Sequence, residues 1–409
     1  MLKYKFICNI TLCLIFSCFG FANAQYKDNF SNPISFEQWK NDFGKIAESK
    51  GVKKTILNKY FYKIERLPKV IVYDRRQPEF SRTFGQYIKS ALSETRRSRA
   101  KQMYKKHKFE LDKIASKYGV QPRFIVAFWG LETNFGRHTG KMDIIRSLAT
   151  LSHDLRRSEF FSNELILALK IIQYGHVDGN QFYGSWAGAF GQTQFMPSTF
   201  TAYAVDGDDD GVKDLWGSFD DIFSSSANFL NKVGWKKGET WGRQVKIIND
   251  DFDWSVTGHK TLKTLKQWSK LGVVKYDSSK LDTSFNGKAS LIIPAGAKGP
   301  KFLVYNNFRR ILNWNNSDFY ALAVGLLSDD IVGINGMNWV PPKNEKSISR
   351  NDYKFVQKVL KSYGYYNSKI DGVFASGSKH SLKLYQKKHN LPADGHLSNE
   401  VLKYIKDNK

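Results

Sequence analysis

Apolar residues recur at helical spacing along most of the chain, and this pattern predicts a mainly α-helical protein. Within residues 122–136, Phe124, Phe128 and Glu132 fall at i, i+4 spacing, so the glutamate shares the apolar face of its helix. Pro122 suits the first position of this helix, and Gly136 suits the left-handed residue that ends it. A carboxyl group on an apolar face either finds a buried partner or becomes hard to ionise. The pattern alone therefore leaves a structural and a catalytic role for Glu132 open.

The period changes within residues 236–307, where alternating apolar positions predict a small mixed α/β insertion in a larger helical domain, residues 25–340. Its expected strands cover residues 244–248, 289–294 and 301–305. Residues 341–348 have the composition of a linker. Residues 349–409 then predict a small three-helix unit with two similar halves, each a helix leading to an Asp-Gly turn.

The composition is strongly basic and aromatic, with a formal charge of +25 and 15% Phe, Trp and Tyr. Such basicity indicates nucleic acid, an anionic membrane or an acidic polymer as partner. Lys3 and Lys5 precede an apolar run, and Ala22-Asn23-Ala24 is a small-residue cleavage site, so residues 1–24 read as a secretory signal peptide. Its removal leaves a charge of +23. Export to the periplasm excludes nucleic acid and favours peptidoglycan, whose stem peptides carry carboxylates.

Every cysteine of the sequence lies inside the predicted signal peptide, at Cys8, Cys13 and Cys18. The mature chain is therefore expected to have neither disulfides nor thiol chemistry. Lipoprotein anchoring at Cys18 is disfavoured because Phe16 fits that signal poorly. Because no later segment is apolar enough to span a bilayer, we expect a protein that is peripheral to the membrane at most. Nothing in the sequence demands more than a monomer.

Residues 184–198 combine glycines, side-chain amides, hydroxyls and aromatic rings in an unusually dense stretch. Glycine lets the backbone approach a ligand closely, amides read sugar hydroxyls, and aromatic rings stack on sugar faces. The composition favours a groove for a polar ligand. Trp314 and Asn315 offer a second ring and amide for the same groove, the alternative being a helix cap formed by Asn316 or Ser317.

Residues 206–214 place oxygen ligands at alternate positions with Gly211 at the sixth, as at the start of an EF-hand calcium loop. The twelfth position is Gly217 instead of glutamate, so a standard EF-hand is excluded, and Asp220 would have to close the site. The alternative is an acidic turn without metal.

Residues 73–80 are polar and contain a proline, and they predict a loop.

Several motifs in order make residues 30–340 resemble the B-type membrane-bound lytic murein transglycosylases, which have a lysozyme-like catalytic core. The matching stretches are residues 129–133, 155–161, 184–191 and 194–198, together with the Asp-rich loop. The tail resembles the small helical peptidoglycan-binding domain through residues 364–366, 371–372 and 391–395. The sequence departs from the family pattern at Gln192-Thr193, where an aromatic-Gly pair is more usual, and at Asp208, where a hydroxyl residue occurs.

The resemblance implies cleavage of the β-1,4 bond between N-acetylmuramic acid and N-acetylglucosamine, leaving a 1,6-anhydromuramyl end. It implies that Glu132 is the catalytic acid/base and that no cofactor is required for the chemistry. The implied substrate-binding residues are Arg156, Arg157, Ser185, Gln194, Phe195, Trp314 and Asn315. The implied ligands of a structural calcium ion are Asp206, Asp208, Asp210, the carbonyl of Val212, and Asp220.

Two other functions stay open at this point. A lysozyme-type hydrolase would need a second carboxylate about 5–9 Å from Glu132, which Asp143 or Glu159 would have to supply. A noncatalytic wall-binding scaffold would explain the charge and the C-terminal unit. Against the scaffold, Glu132 lies among a complete set of groove motifs.

Overall fold

The computed structural model describes residues 32–76, 82–334, 336–343 and 345–409. The predicted signal peptide and its cysteines lie outside these described residues. The described chain is mainly helical and divides into two compact units. We name them by content: the glutamate unit comprises residues 32–76 and 102–234, and the sheet unit comprises residues 82–101 and 235–409. The helical domain, expected as residues 25–340, is thus divided between them.

The glutamate unit is built almost entirely of helices. In chain order its elements are α1 (Phe36–Ser49), α2 (Lys54–Tyr60), α3 (Pro68–Arg76), α6 (Lys108–Tyr118), α7 (Pro122–Thr133), β1 (Met142–Asp143), α8 (Ile144–His153), α9 (Ser158–Gln173), β2 (Tyr183–Gly184), α10 (Pro197–Tyr203) and α11 (Phe219–Lys232). A 3-10 turn covers Gly179–Gln181, and α5 (Glu94–Lys106) crosses the boundary between the units. The central helix is α7, which is buried on nearly all sides, as expected for a helix that is apolar all round.

The sheet unit contains α4 (Phe84–Ala91) and a five-stranded antiparallel sheet. Its later elements are β3 (Gly242–Ile247), a 3-10 turn (Trp254–Val256), β4 (Lys263–Thr264), α12 (Leu265–Lys270), β5 (Val273–Lys275), β6 (Lys288–Ile292), β7 (Lys301–Val304), α13 (Asn306–Trp314), α14 (Asp318–Ile331), α15 (Arg350–Ser362), α16 (Ser376–Lys388) and α17 (Asn399–Asp407). The strand order is β4-β6-β7-β3-β5, with Leu291 opposite Leu303. The structure confirms the predicted mixed insertion, with each expected strand within a few residues of its observed bounds.

The last three helices form the predicted three-helix module, and its two halves repeat one hydrogen-bond pattern. Buried Gln357 accepts from the backbone N of Gly372 at 2.8 Å and donates to Asp371 Oδ1 at 3.0 Å. In the second half, Gln386 accepts from the backbone N of Gly395 at 2.7 Å and donates to Asp394 Oδ1 at 2.7 Å. The weak repeat in the sequence therefore reflects a real structural duplication.

The module is bonded to the sheet insertion. The second oxygen of Asp394 accepts the backbone N–H of Ala297 at 2.8 Å, and Lys383 Nζ donates to the carbonyl of Thr257 at 2.8 Å. The predicted linker is also engaged, since Thr83 Oγ1 donates to Glu345 Oε2 at 2.6 Å. In the part of the chain that the structure describes, none of the helices is both long and apolar enough to cross a membrane.

Candidate active site

Glu132 lies in the last turn of α7 and is 8% exposed, as its place on the apolar face predicts. The helix begins with Pro122 at its N-terminus and ends at Thr133, three residues before the predicted end. Asn134, Phe135 and Gly136 then all take left-handed conformations, with φ of 51°, 61° and 77°. This run turns the chain sharply just after the glutamate.

Gly136 is required by a close approach as well as by its positive φ. A Cβ atom there would lie 2.3 Å from Oε1 of Gln192, in the loop that we call the groove loop, residues 184–198. The backbone at Gly136, just after the glutamate helix, therefore packs directly against the side chain of Gln192 in the groove loop. Gly136 is left-handed, as predicted, and the Gln192 side chain leaves no room there for a larger residue.

Gln192 fastens the groove loop to α7 on both sides of Glu132. Its Oε1 accepts the indole N–H of Trp129 at 2.7 Å, and its backbone carbonyl accepts the Thr133 hydroxyl at 2.9 Å. Its Nε2 donates to the carbonyl of Trp216 at 2.6 Å, at the end of the Asp-rich loop. Gln192, where the sequence departs from the family pattern, is 9% exposed and hydrogen-bonds two other parts of the chain.

Ser185 and Gln194, both predicted to contact substrate, lie buried in the groove loop. The Ser185 hydroxyl accepts the backbone N–H of Ala189 at 3.0 Å. Gln194 has a φ of 51°, and its Nε2 donates to the carbonyls of Thr139 and Gly191, both at 3.0 Å. Its Oε1 is buried and has no hydrogen-bond partner among the described residues, so the loop holds an acceptor ready for a ligand N–H or O–H.

The aromatic rings of the groove loop differ in exposure. Phe195, predicted to bind substrate, is only 2% exposed, and its ring centroid lies 6.1 Å from that of Phe229 in the core. Its ring therefore presents no open face for a sugar. Trp186 is half-buried and lies 6.4 Å from the ring of Tyr73, on α3. Trp186 is the better placed ring for stacking, and its exposure could not be read from the sequence.

Glu164, on α9, is a buried carboxyl group that sequence reasoning missed. Its two oxygens accept the backbone N–H of Ser198 at 2.9 Å and the Ser198 hydroxyl at 2.6 Å. The contact fixes the end of the groove loop, where α10 begins. Burial raises the pKa of Glu164 above its ordinary value, and the two bonds from Ser198 oppose this rise. No local sequence signal pairs residues so far apart in the chain.

Arg156 and Arg157 lie where α9 begins, and both pair with Asp74 on α3. Arg156 Nη1 donates to Asp74 Oδ2 at 2.9 Å, and Arg157 Nη2 donates to Asp74 Oδ1. The arginine pair is therefore held by a buried carboxylate and is not plain surface charge. The predicted loop is wrong for residues 73–76, because α3 continues to Arg76 and carries Asp74 into the interior, and residues 77–80 lie outside the described residues.

The Asp-rich loop brings three carboxylates together. One oxygen from each of Asp206, Asp208 and Asp210 lies within 4.8 Å of the others. Asp220 lies outside this carboxylate group, in the first turn of α11, and its carbonyl oxygen faces Gly207 so closely that a Cβ there would be 2.5 Å away. Clustered hard oxygen donors suit Ca²⁺, so the residues present fit the predicted ion.

Asp221 holds this loop closed and was not singled out from the sequence. It is fully buried, and its carboxyl oxygens accept the backbone N–H groups of Gly207 and Asp214, both at 2.6 Å. The two bonds join the beginning and the end of the loop. Burial raises the pKa of Asp221, and the backbone bonds oppose the rise.

The remaining predicted substrate residues lie in the sheet unit. Asn315 is the residue after α13, is 3% exposed, and accepts the backbone N–H of Ser317 through its carbonyl at 2.8 Å. Trp314, the last residue of α13, is half-buried. The cap on α14 is formed by Ser317, whose hydroxyl accepts from Tyr320 N at 3.4 Å, so the alternative role as a helix cap falls to Ser317.

Enzymes that break glycosidic bonds place an acid/base carboxyl group in a largely desolvated groove. The lysozyme-like helical fold and the surroundings of Glu132 put this chain in that class. It belongs to the lytic transglycosylase family: residues 35–329 match the family model described as the Transglycosylase SLT domain. Residues 349–405 match the model of a peptidoglycan binding domain.

Relatives of known structure cover most of the chain. It is 38% identical to SltB3 from Pseudomonas aeruginosa, solved in complex with NAG-anhNAM-pentapeptide, with a TM-score of 0.87 over 91% of this chain and 99% of that one. It is 29% identical to the Escherichia coli lytic transglycosylase Slt35 in complex with calcium, with a TM-score of 0.62 over 74% of this chain and 93% of that one.

Among curated proteins, the chain is similar to membrane-bound lytic murein transglycosylase B of Escherichia coli (strain K12). The two are 36% identical over 217 residues, which is 52% of this chain and 58% of the relative. The match thus spans little more than half of that relative's length.

Proposed function

We propose that this chain cleaves the β-1,4 bond between N-acetylmuramic acid and N-acetylglucosamine in peptidoglycan and leaves 1,6-anhydromuramyl ends. The observation that carries the proposal is the position of Glu132, 8% exposed and held beside the groove loop from both sides. A carboxyl group shielded from water beside a groove is the kind of group that serves as general acid and base at a glycosidic bond.

In the proposed reaction, Glu132 alone moves the proton. It first protonates the bridging oxygen, and the bond from that oxygen to the anomeric carbon of the muramoyl residue breaks. The carboxylate then removes the proton from the 6-hydroxyl of the same residue, whose oxygen forms a new bond to the anomeric carbon. The proton returns to the glutamate, no water is consumed, and the product is an anhydro ring.

The other predicted substrate residues, except the buried Phe195, are proposed to hold the glycan or its stem peptide. Gln194 supports this role best, because its unpartnered buried Oε1 can accept a hydrogen bond from a sugar. Ser185 retains a hydroxyl proton that it can donate to a ligand. Asn315 and Trp314 are proposed to bind glycan as well, and the arginine pair to bind its stem peptide. The relative SltB3 was solved with a ligand of this kind.

A hydrolase would need a second carboxylate, and the surroundings of neither candidate favour that role. Asp143 accepts the backbone N–H of Arg146 at 2.9 Å and thereby caps α8. Burial raises its pKa, and contacts with Arg146 oppose this rise. Glu159 is exposed in the first turn of α9. Asp143 thus serves as a helix cap and Glu159 faces solvent, and neither feature supports a role as the second carboxylate of a hydrolase.

Mass spectrometry of the products from purified sacculi tests the proposal, with wild type and Glu132→Gln in parallel. We expect anhydromuramyl products from wild type and none from the variant, which should still bind glycan. Reducing-end products would instead make the chain a hydrolase. Retention on sacculi without any product would favour the noncatalytic scaffold.

We also propose that Asp206, Asp208 and Asp210 hold a structural calcium ion, completed by the Val212 carbonyl and Asp220. The carboxylate cluster supports this, and the relative Slt35 was solved in complex with calcium. Calcium at a hundred times its Kd should raise the free energy of unfolding by about 2.7 kcal/mol. Calorimetric titration should show loss of binding in Asp210→Asn but not in Asp209→Asn, since Asp209 lies outside the cluster. Equal affinity in both variants would refute the site.

The C-terminal module is proposed to retain the enzyme on peptidoglycan, as its family model suggests. We place the mature chain in the periplasm as a monomer, on the sequence features described above. Size-exclusion chromatography with light scattering measures the molar mass and so tests the monomer. Cell fractionation shows whether the protein is recovered with the periplasmic contents.

A further inference from the structure

A cluster of buried charges lies next to the groove loop, and we call it the arginine clasp. It consists of Asp74 and Asp154, each 2% exposed, with Arg75, Arg156 and Arg157. Arg75 bridges the two carboxylates, since its Nη1 donates to Asp74 and its Nη2 donates to Asp154, both at 2.6 Å. Asp154 also accepts the backbone N–H of Arg156 at 3.1 Å.

Asp74 is the hub of the clasp because all three guanidinium groups donate to its carboxylate. Its backbone carbonyl also accepts from Arg156 Nη1, at 2.6 Å. A carboxylate this deeply buried is tolerated only when it is paired and hydrogen-bonded. Asp74 therefore fixes the orientation of the two arginine side chains that begin α9.

The clasp carries an excess of positive charge, with three guanidinium groups against two carboxylates. The side chains of Arg156 and Arg157 remain 30% and 26% exposed. A guanidinium has five N–H donors, so the bonds to Asp74 leave donors for a second carboxylate. An anchored and partly exposed Arg pair is preorganised for an anionic ligand, because little side-chain freedom is lost on binding.

The position of the clasp connects it to the groove. Tyr73, the neighbour of Asp74 on α3, contacts Trp186 of the groove loop through rings 6.4 Å apart. Helix α3 also packs on α8, and Leu67 N donates to Thr150 Oγ1 at 2.9 Å just before α3 begins. Helix α3, which carries Asp74, is thus itself held in place by the groove loop and by α8.

We propose that Asp74 is a positioning residue that holds Arg156 and Arg157 toward the stem-peptide carboxylates of the substrate. The inference rests on the proposed action on peptidoglycan. The two arginines would recognise the peptide and not the sugars. Asp74 would contribute by orienting them, without touching the substrate itself. Loss of Asp74 should therefore weaken binding of peptide-bearing glycan without affecting the proton transfers of Glu132.

The test compares Asp74→Asn with wild type on soluble glycan strands that carry stem peptides and on the same strands after an amidase has removed them. On peptide-bearing strands we expect KM to rise about tenfold while kcat stays within about twofold. On denuded strands both constants should remain at wild-type values. Arg157→Gln should show the same selective loss on peptide-bearing strands. Once Arg156 and Arg157 are both replaced by Gln, the further change Asp74→Asn should raise KM no more, since Asp74 acts through these two arginines.

Asp330→Asn is the matched control, because Asp330 also pairs with an arginine, Arg97, but in the sheet unit. It should lower thermal stability without changing the preference between the two substrates. Asp74→Glu keeps the charge and should restore part of the wild-type KM. If Asp74→Asn does not fold, Asp74→Glu decides instead, and it should raise KM on peptide-bearing strands but not on denuded ones. An equal rise of KM on both substrates, or a fall in kcat alone, would overturn the proposal.

Failure of the proposed reaction would look different, since wild type would then cleave neither substrate. Calorimetric titration with a disaccharide that carries a pentapeptide, and with the same disaccharide without it, still applies in that case. We expect Asp74→Asn to lose about tenfold in affinity for the first and nothing for the second. Unchanged affinity for the peptide-bearing ligand would overturn the role of Asp74 even in an inactive protein.

Discussion

Replacement of Gln192 by Leu tests whether the groove loop is fastened to the glutamate helix by buried hydrogen bonds. The substitution keeps a side chain of similar size but removes both of its hydrogen-bonding groups. The Trp129 indole N–H then loses its acceptor at 2.7 Å, and the Trp216 carbonyl loses its donor at 2.6 Å. The bond from Thr133 to the backbone of residue 192 is retained.

The magnitude follows from burial. Trp129 is 4% exposed and Gln192 is 9% exposed, so water does not readily replace the lost partners. Each buried polar group left without a partner costs about 1–3 kcal/mol. Burial of the leucine side chain returns roughly 1 kcal/mol. We therefore expect the free energy of unfolding of the glutamate unit to fall by about 1–5 kcal/mol, within the stability of an ordinary domain.

Urea unfolding, followed by circular dichroism, measures this loss, and Gln173→Leu is the matched control. Gln173 also joins two backbone groups, since it accepts from Lys53 N at 2.7 Å and donates to the Gly51 carbonyl at 3.2 Å, but at the exposed surface. Because water can replace these bonds, that variant should lose less than about 1 kcal/mol. Equal losses in the two variants would refute the reasoning.

Two further variants test buried positions of the glutamate unit. Burial raises the pKa of Glu164 despite its bonds to Ser198, so the folded state retains a proton that the unfolded state has released, and stability should fall as pH rises above 4.5. Glu164→Gln should flatten this fall, and urea unfolding between pH 4.5 and neutrality would contradict the assignment if both proteins showed the same slope. Gly188→Ala should cost about 2–4 kcal/mol, because its φ is 95° and the new Cβ would lie 2.4 Å from Leu148 Cδ2. Gly175→Ala, with a φ of 80° and open space, should cost about 1 kcal/mol, and similar melting temperatures for the two alanine variants would count against the clash.

The sequence predicts best where one residue's role depends on its near neighbours. The glutamate helix and its start at Pro122 are confirmed because periodicity and helix-end preferences are local. The strands of the insertion are confirmed for the same reason. Residues 73–76 were wrongly assigned to a loop because tertiary burial of Asp74 outweighs their polar composition.

The contacts that organise the candidate site join residues that lie far apart in the chain. Asp74 meets Arg156 across 82 positions, and Trp129 meets Gln192 across 63. A single sequence carries no local signal for such pairs. Exposure is equally nonlocal, and for that reason Phe195 and Trp186 could not be ranked as sugar-stacking rings from the composition of their loop.

The duplicated turns of the C-terminal module are under unequal constraint. In the described chain, Asp371 Oδ1 bonds Gln357 and Val373, which both lie inside the module. Asp394 bonds its own half and also Ala297 of the insertion. A substitution at Asp394 therefore breaks a contact between modules as well as a turn. Substitutions should therefore be tolerated less well at Asp394 than at Asp371. A transplanted module without a carboxylate at this position would leave the backbone N–H of Ala297 without its acceptor.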